Sequence, residues 1–109
     1  MAWLLRDGEV LAALEIAASR RERRRGLLGR DEMEGALLLK PARSVHTIGM
    51  RFPIDVAFCD RGLSVLAVRS MNRGRVSRPR LRASCVIEAQ AGAFDRWGLQ
   101  VGDQLEIKE

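Results

Sequence analysis

The residues best equipped for chemistry are His46, Thr47, Arg51, Asp55 and Glu88. Four of them crowd around Pro53 within an otherwise apolar stretch, and the fifth stands in a later apolar run, Ser84 to Gln90. A guanidinium such as that of Arg51 pairs bidentately with a carboxylate or phosphate. The imidazole of His46 can donate or exchange a proton near neutral pH, and Asp55 or Glu88 would orient both groups. Together they describe a face able to hold a small acidic ligand or an acidic protein surface. The same residues permit a structural arrangement, in which Arg51 and Asp55 form an ion pair that fixes strand register and His46 is an ordinary hydrogen-bonding partner.

A second constellation is made of arginine. The chain carries 17 Arg against 2 Lys and a formal net charge of +5. Arg73, Arg75, Arg78, Arg80 and Arg82 fall close together in a stretch free of acidic residues, and Arg20, Arg21, Arg23, Arg24 and Arg25 crowd one short helical segment. If they share a face, nucleic acid or another polyanion should bind in a salt-dependent way. No aromatic residues interleave with them and no helix-turn-helix pattern is present, so sequence-specific recognition is not expected. A solvated charged surface is the plainer alternative.

Enzymatic readings are narrower. Asp55 and Glu88 could act as the acid and base of a small hydrolase if their environments drove their pKa values apart. Cys59 and Cys85 lack CxxC spacing and any neighbouring group that would activate a thiol, so they read as buried thiols. With His46 the only histidine, neither a metal site of clustered His and Cys ligands nor a cofactor is expected. The ordering is therefore a non-enzymatic binding module first, a polyanion binder through the arginine loop second, and a hydrolase third.

The elements that must position these groups follow from local signals. The 109 residues suit one domain, 1–109. No window reaches the roughly 20 apolar residues of a membrane span, and no signal-peptide pattern opens the chain, so a cytoplasmic protein is expected. Asp7-Gly8 predicts a two-residue hairpin within Trp3–Ala18, with its second strand over Glu9–Ala17. Ser19-Arg20-Arg21-Glu22 has capping-box spacing and starts a basic surface helix expected to stop at Gly29. Ala36–Leu39 and Ser44–Ile48 read as strands. Ile54–Cys59 alternates, with Ile54, Val56 and Phe58 on one face, and Asp60-Arg61-Gly62 turns it into Leu63–Ser70. Arg69–Arg82 reads as a long exposed loop and Ser84–Gln90 as a strand. A short helix, Ala93–Trp97, and a last strand, Gln104–Lys108, complete the chain. Trp3, Trp97 and Met50 are expected in the core. The fold class is mainly β: a compact barrel- or sandwich-like domain of about six to eight short strands with two short helices.

Four ordered segments carry a resemblance that spans nearly the whole chain. They are Glu22 to Arg30, the run Val45-His46-Thr47-Ile48-Gly49-Met50-Arg51-Phe52-Pro53-Ile54-Asp55 and its continuation to Asp60, Glu88 to Gly92, and Gly98 to Asp103. In these the sequence resembles the domain of unknown function 192, an uncharacterised bacterial and archaeal family. The resemblance implies a compact β-rich fold with short helices and no catalytic residues. His46-Thr47 and Met50-Arg51 stand where many members of that family carry Trp-Met and Lys-Asn. The segment Gly98 to Ile107 is also similar to the Gly-Asp box of small cradle-loop barrels, some of which bind DNA; the box itself is a turn device.

Overall fold

Asp7 and Gly8 both take positive φ, 53° and 78°, the backbone pattern that matches the twist of a two-residue hairpin. They join β1 (Ala2–Arg6) to β2 (Glu9–Ala17), with a bulge between Leu4 and Leu5. The computed structural model describes residues 1–109.

Ser19 starts α1 (Arg20–Arg25) through the capping box read from the sequence: its hydroxyl accepts the Glu22 amide at 3.1 Å, and Glu22 Oε1 accepts the Ser19 amide at 3.1 Å. The helix ends at Gly26, three residues before the expected Gly29. It buries none of its own residues, and the chain must turn at once to deliver the fully buried Leu27 to the core. This crossover returns the chain to β3 (Ala36–Leu39), which lies parallel to β2. The approach depends on Gly35, where a Cβ would sit 2.5 Å from the Ala13 carbonyl oxygen.

The second hairpin pairs β4 (Ile54–Cys59) with β5 (Val65–Met71); Asp60 Oδ1 accepts the Ser64 amide at 2.9 Å across its turn. Then β6 (Cys85–Gln90) inserts between β4 and β3, α2 (Ala93–Trp97) follows, and β7 (Leu105–Lys108) pairs with β1. The resulting order is β5-β4-β6-β3-β2-β1-β7. An isolated bridge, Ser64 to Gln104, brings the two ends of this seven-stranded sheet together, so it curls into a half-barrel. No helix is long and apolar enough to cross a membrane.

Apolar residues pack on both faces. Ile54, Val56 and Phe58 join one cluster and Ala57 and Cys59 the other, which is the alternation expected of β4. Phe94 and Trp97 of α2, with ring centroids 5.4 Å apart, cover the second cluster. Met50 is buried as expected, whereas Trp3, on the outward phase of β1, is 39% exposed.

Two expected segments differ. Ser44–Ile48 is not a strand: only His46 makes a bridge, to Val76. The loop expected over Arg69–Arg82 gives up its first residues to β5 and then runs along 43–47, through Thr47 N to Arg75 O (2.7 Å), Ser77 N to Val45 O (2.8 Å) and Arg80 N to Arg43 O (2.8 Å). Pro79 has no amide to offer, and the regular two-residue step of a ladder is lost there.

Candidate functional site

The five polar residues of the first constellation do not form one face. Thr47, fully buried, is a clamp on the arginine loop: its hydroxyl donates to the Asn72 carbonyl and accepts the Arg75 amide at 2.8 Å. Asp55 points to α2, where Oδ2 accepts the amides of Gly92 at 3.0 Å and Phe94 at 3.1 Å. It thereby caps a helix whose own N-cap, Gly92, has no side chain. Arg51 does not pair with Asp55. It lies outside β4 and meets Asp31 at 2.8 Å, in an exposed pair of the kind worth little in water.

His46 and Glu88 line one cavity without bonding to each other. In register, Glu88 lies between Leu37 of β3 and Val56 of β4, so the phase of β6 aims its carboxyl into an apolar cluster. It is only 2% exposed, and Oε1 has no hydrogen-bonding partner. Burial pushes its pKa up from 4.5 to about 7. A cavity of about 60 Å³ lies beside it, enclosed by Arg23, Arg24, Arg25 and Gly26 at the end of α1 and by Ser44, Val45 and His46. Gly26 leaves the opening: a Cβ there would stand 3.7 Å from Glu88 Oε1. The sequence signal for this site was an acid in an apolar run, but nothing local tied it to the arginines of α1.

The larger depression is in the arginine loop. A groove of about 780 Å³ is lined by Arg69, Arg75, Arg78 and Arg80, with Phe58 and Met71 among its apolar residues. The Arg80 guanidinium stands over the Phe58 ring, 5.6 Å from its centroid, which fixes that side chain by a cation–π contact. A smaller depression lined by Arg73 and Gly74 adjoins it, the two sharing Asn72. The only salt bridges in the molecule involve Arg6, Arg30 and Arg51, so all five of these arginines are without a carboxylate partner. Arg82 is exposed and lies outside both linings. Arg69 was missed in the sequence because it stands at the end of a strand; its signal was a charge in the same alternation as Ala67 and Met71, which face the core.

Cys59 and Cys85 are free and face each other in register across β4 and β6. Their mutual hydrogen bond, then burial, drives the Cys59 thiol far above its ordinary range. No group of three or more His, Cys, Asp or Glu side chains is arranged to hold a metal ion.

The family model DUF192, described as Uncharacterized ACR, matches residues 2–107. Among curated proteins, none matches the sequence. Two solved structures are similar. One is a protein of unknown function from Novosphingobium aromaticivorans DSM 12444, with a TM-score of 0.79 at 19% identity over 96% of this chain and 82% of that one. The other, from Sinorhizobium meliloti 1021, is provisionally assigned as a transcription regulator; the TM-score is 0.80 at 21% identity, over 96% of this chain and 90% of that one. Both likenesses concern the fold.

Proposed function

Because the chain belongs to the DUF192 family, whose description assigns no activity, we propose a function from geometry: a non-enzymatic module that binds polyanions, nucleic acid backbones foremost, through the arginine loop. One observation carries this reading. The two adjoining depressions present Arg69, Arg73, Arg75, Arg78 and Arg80 as a continuous strip with no acidic residue in either lining. A strip suits a chain of phosphates better than a single one, and a loop backbone already tied to residues 43–47 has less freedom to lose on binding. The lining offers no His, Cys, Asp or Glu to act as base or nucleophile. The one aromatic ring, Phe58, lies beneath Arg80 and gives bases no platform, so the expected binding is indifferent to sequence.

The reading first favoured by the residue types, an acidic ligand held by His46, Arg51, Asp55 and Glu88 together, has less geometric support, since Arg51 and Asp55 have other partners. A role on nucleic acid agrees with the provisional assignment of the Sinorhizobium meliloti protein. The test is fluorescence anisotropy of labelled single-stranded oligonucleotides at several salt concentrations. Log affinity should fall with log salt by about 0.7 for each phosphate neutralised. The double change Arg75→Ala with Arg78→Ala should weaken binding and flatten that slope, while Arg51→Ala leaves both alone. Absence of binding at low salt, or equal loss in the Arg51 variant, removes the proposal.

A further inference from the structure

We infer that the cavity between α1 and β6 is a second, independent site, which takes the head group of a small carboxylate: Glu88, as a neutral carboxylic acid, donates a hydrogen bond to one ligand oxygen, and the arginines at the end of α1 receive the charge. Three observations converge on it. Glu88 is 2% exposed with Oε1 unpartnered, and an unsatisfied buried carboxyl costs about 1–3 kcal/mol that a leucine at this position would not. The space beside it, about 60 Å³, equals about two water molecules at roughly 30 Å³ each, which is room for a carboxylate and the carbon that bears it. The remaining charges are all of one sign.

That sign selects the ligand. From α1, Arg23, Arg24 and Arg25 line the cavity; Arg23 donates to the Ala18 carbonyl, whereas Arg24 and Arg25 make no side-chain hydrogen bond or ion pair. From the segment after β3, the titratable group is His46. The flanking strands place Leu37 and Val56 against Glu88 and add no charge. An ammonium or guanidinium ligand would meet three guanidiniums, while a carboxylate meets them favourably and needs a proton donor at the inner end. An ionised Glu88 would repel it, so binding and protonation of Glu88 are linked. Affinity should therefore be constant over the range in which the ligand is ionised and Glu88 is not, and fall roughly tenfold for each pH unit above about 7.

The experiment is a titration of the ¹⁵N-labelled protein with sodium acetate at pH 5.5 and 8.5, followed by amide shifts at constant ionic strength against sodium chloride. The expected result is saturable shifts at Gly26, His46 and Glu88 that acetate alone produces, with affinity at least tenfold weaker at pH 8.5. Glu88→Gln keeps a donor that cannot ionise, and combined with His46→Ala, which removes the cavity's other titratable side chain, it should bind equally at both pH values. Arg24→Ala with Arg25→Ala should weaken binding severalfold. Shifts that chloride reproduces, no saturation at pH 5.5, or unchanged pH dependence in Glu88→Gln would each overturn the proposal. These residues lie outside the groove, so oligonucleotide binding succeeds or fails separately.

Discussion

Thr47 holds Arg75 from two directions: its amide donates to the Arg75 carbonyl at 2.7 Å, and its hydroxyl accepts the Arg75 amide at 2.8 Å. The same hydroxyl donates to the Asn72 carbonyl, so one buried side chain fixes the path of the loop where its two depressions join. Thr47→Val keeps shape and the backbone amide bond but removes the two bonds of the hydroxyl. It should cost about 1–3 kcal/mol in urea unfolding and weaken oligonucleotide binding without any change of charge. Unaltered affinity in a folded, destabilised variant would show that loop geometry does not matter to binding.

Asp55 makes a contrasting case, a residue that looks chemical and caps a helix. Asp55→Ala leaves the amides of Gly92 and Phe94 without an acceptor and should lower stability by about 1–2 kcal/mol. Asp55→Asn, which keeps an oxygen, should restore much of this. Oligonucleotide and acetate binding should be unchanged in the Asn variant; loss of either with native stability would return Asp55 to a binding role.

Glu88 should make stability depend on pH. Its pKa is 4.5 in the ordinary state and about 7 when buried in the fold, so between these values the folded protein holds a proton that the unfolded chain has released. Stability is then greatest below about 4.5 as far as this group is concerned, falls as pH rises to about 7, and is flat beyond. The difference amounts to about 3 kcal/mol. Subtracting the urea-unfolding profile of Glu88→Gln from that of the parent isolates this group, and a difference that rises with pH would contradict the burial of a neutral acid.

The paired thiols should be inert because both are shut away from solvent, Cys59 0% and Cys85 1% exposed. Their hydrogen bond shifts the two in opposite senses, Cys59 up and Cys85 down, so burial rather than thiol pKa protects Cys85. A colorimetric thiol reagent should find neither in the native protein and both in urea. Rapid labelling of one cysteine under native conditions would point to an opening of the β4–β6 pair.

What the sequence made legible was local. The Asp7-Gly8 turn, the Ser19–Glu22 cap and the alternation of Ile54 to Cys59 each depend on residues a few positions apart, and each is found where expected. The family resemblance, likewise carried by short ordered motifs, is met by the match over residues 2–107. Longer reach was hidden. Asp55 finds its partners 37 and 39 positions later, Thr47 reaches 28 positions to Arg75, and Glu88 meets Gly26 across the crossover from β2 to β3. Residue type suggested that these polar groups had a purpose but could not say which of them shared one. The end of α1 was misplaced for a related reason: Gly26 and Gly29 are equally good stops, and only the burial of Leu27 decides between them.

The pairing of β1 with β7 also sets a timetable. Trp3 stands opposite Lys108 and Arg6 opposite Leu105, so the outer edge of β1 waits for a partner strand that is synthesised much later than itself. Until that strand emerges, the edge offers unpaired backbone groups to any neighbouring chain. Nascent protein should depend on dilution or chaperones in a way the finished half-barrel does not, and a truncation before Leu105 should aggregate even though every residue of both arginine clusters is still present.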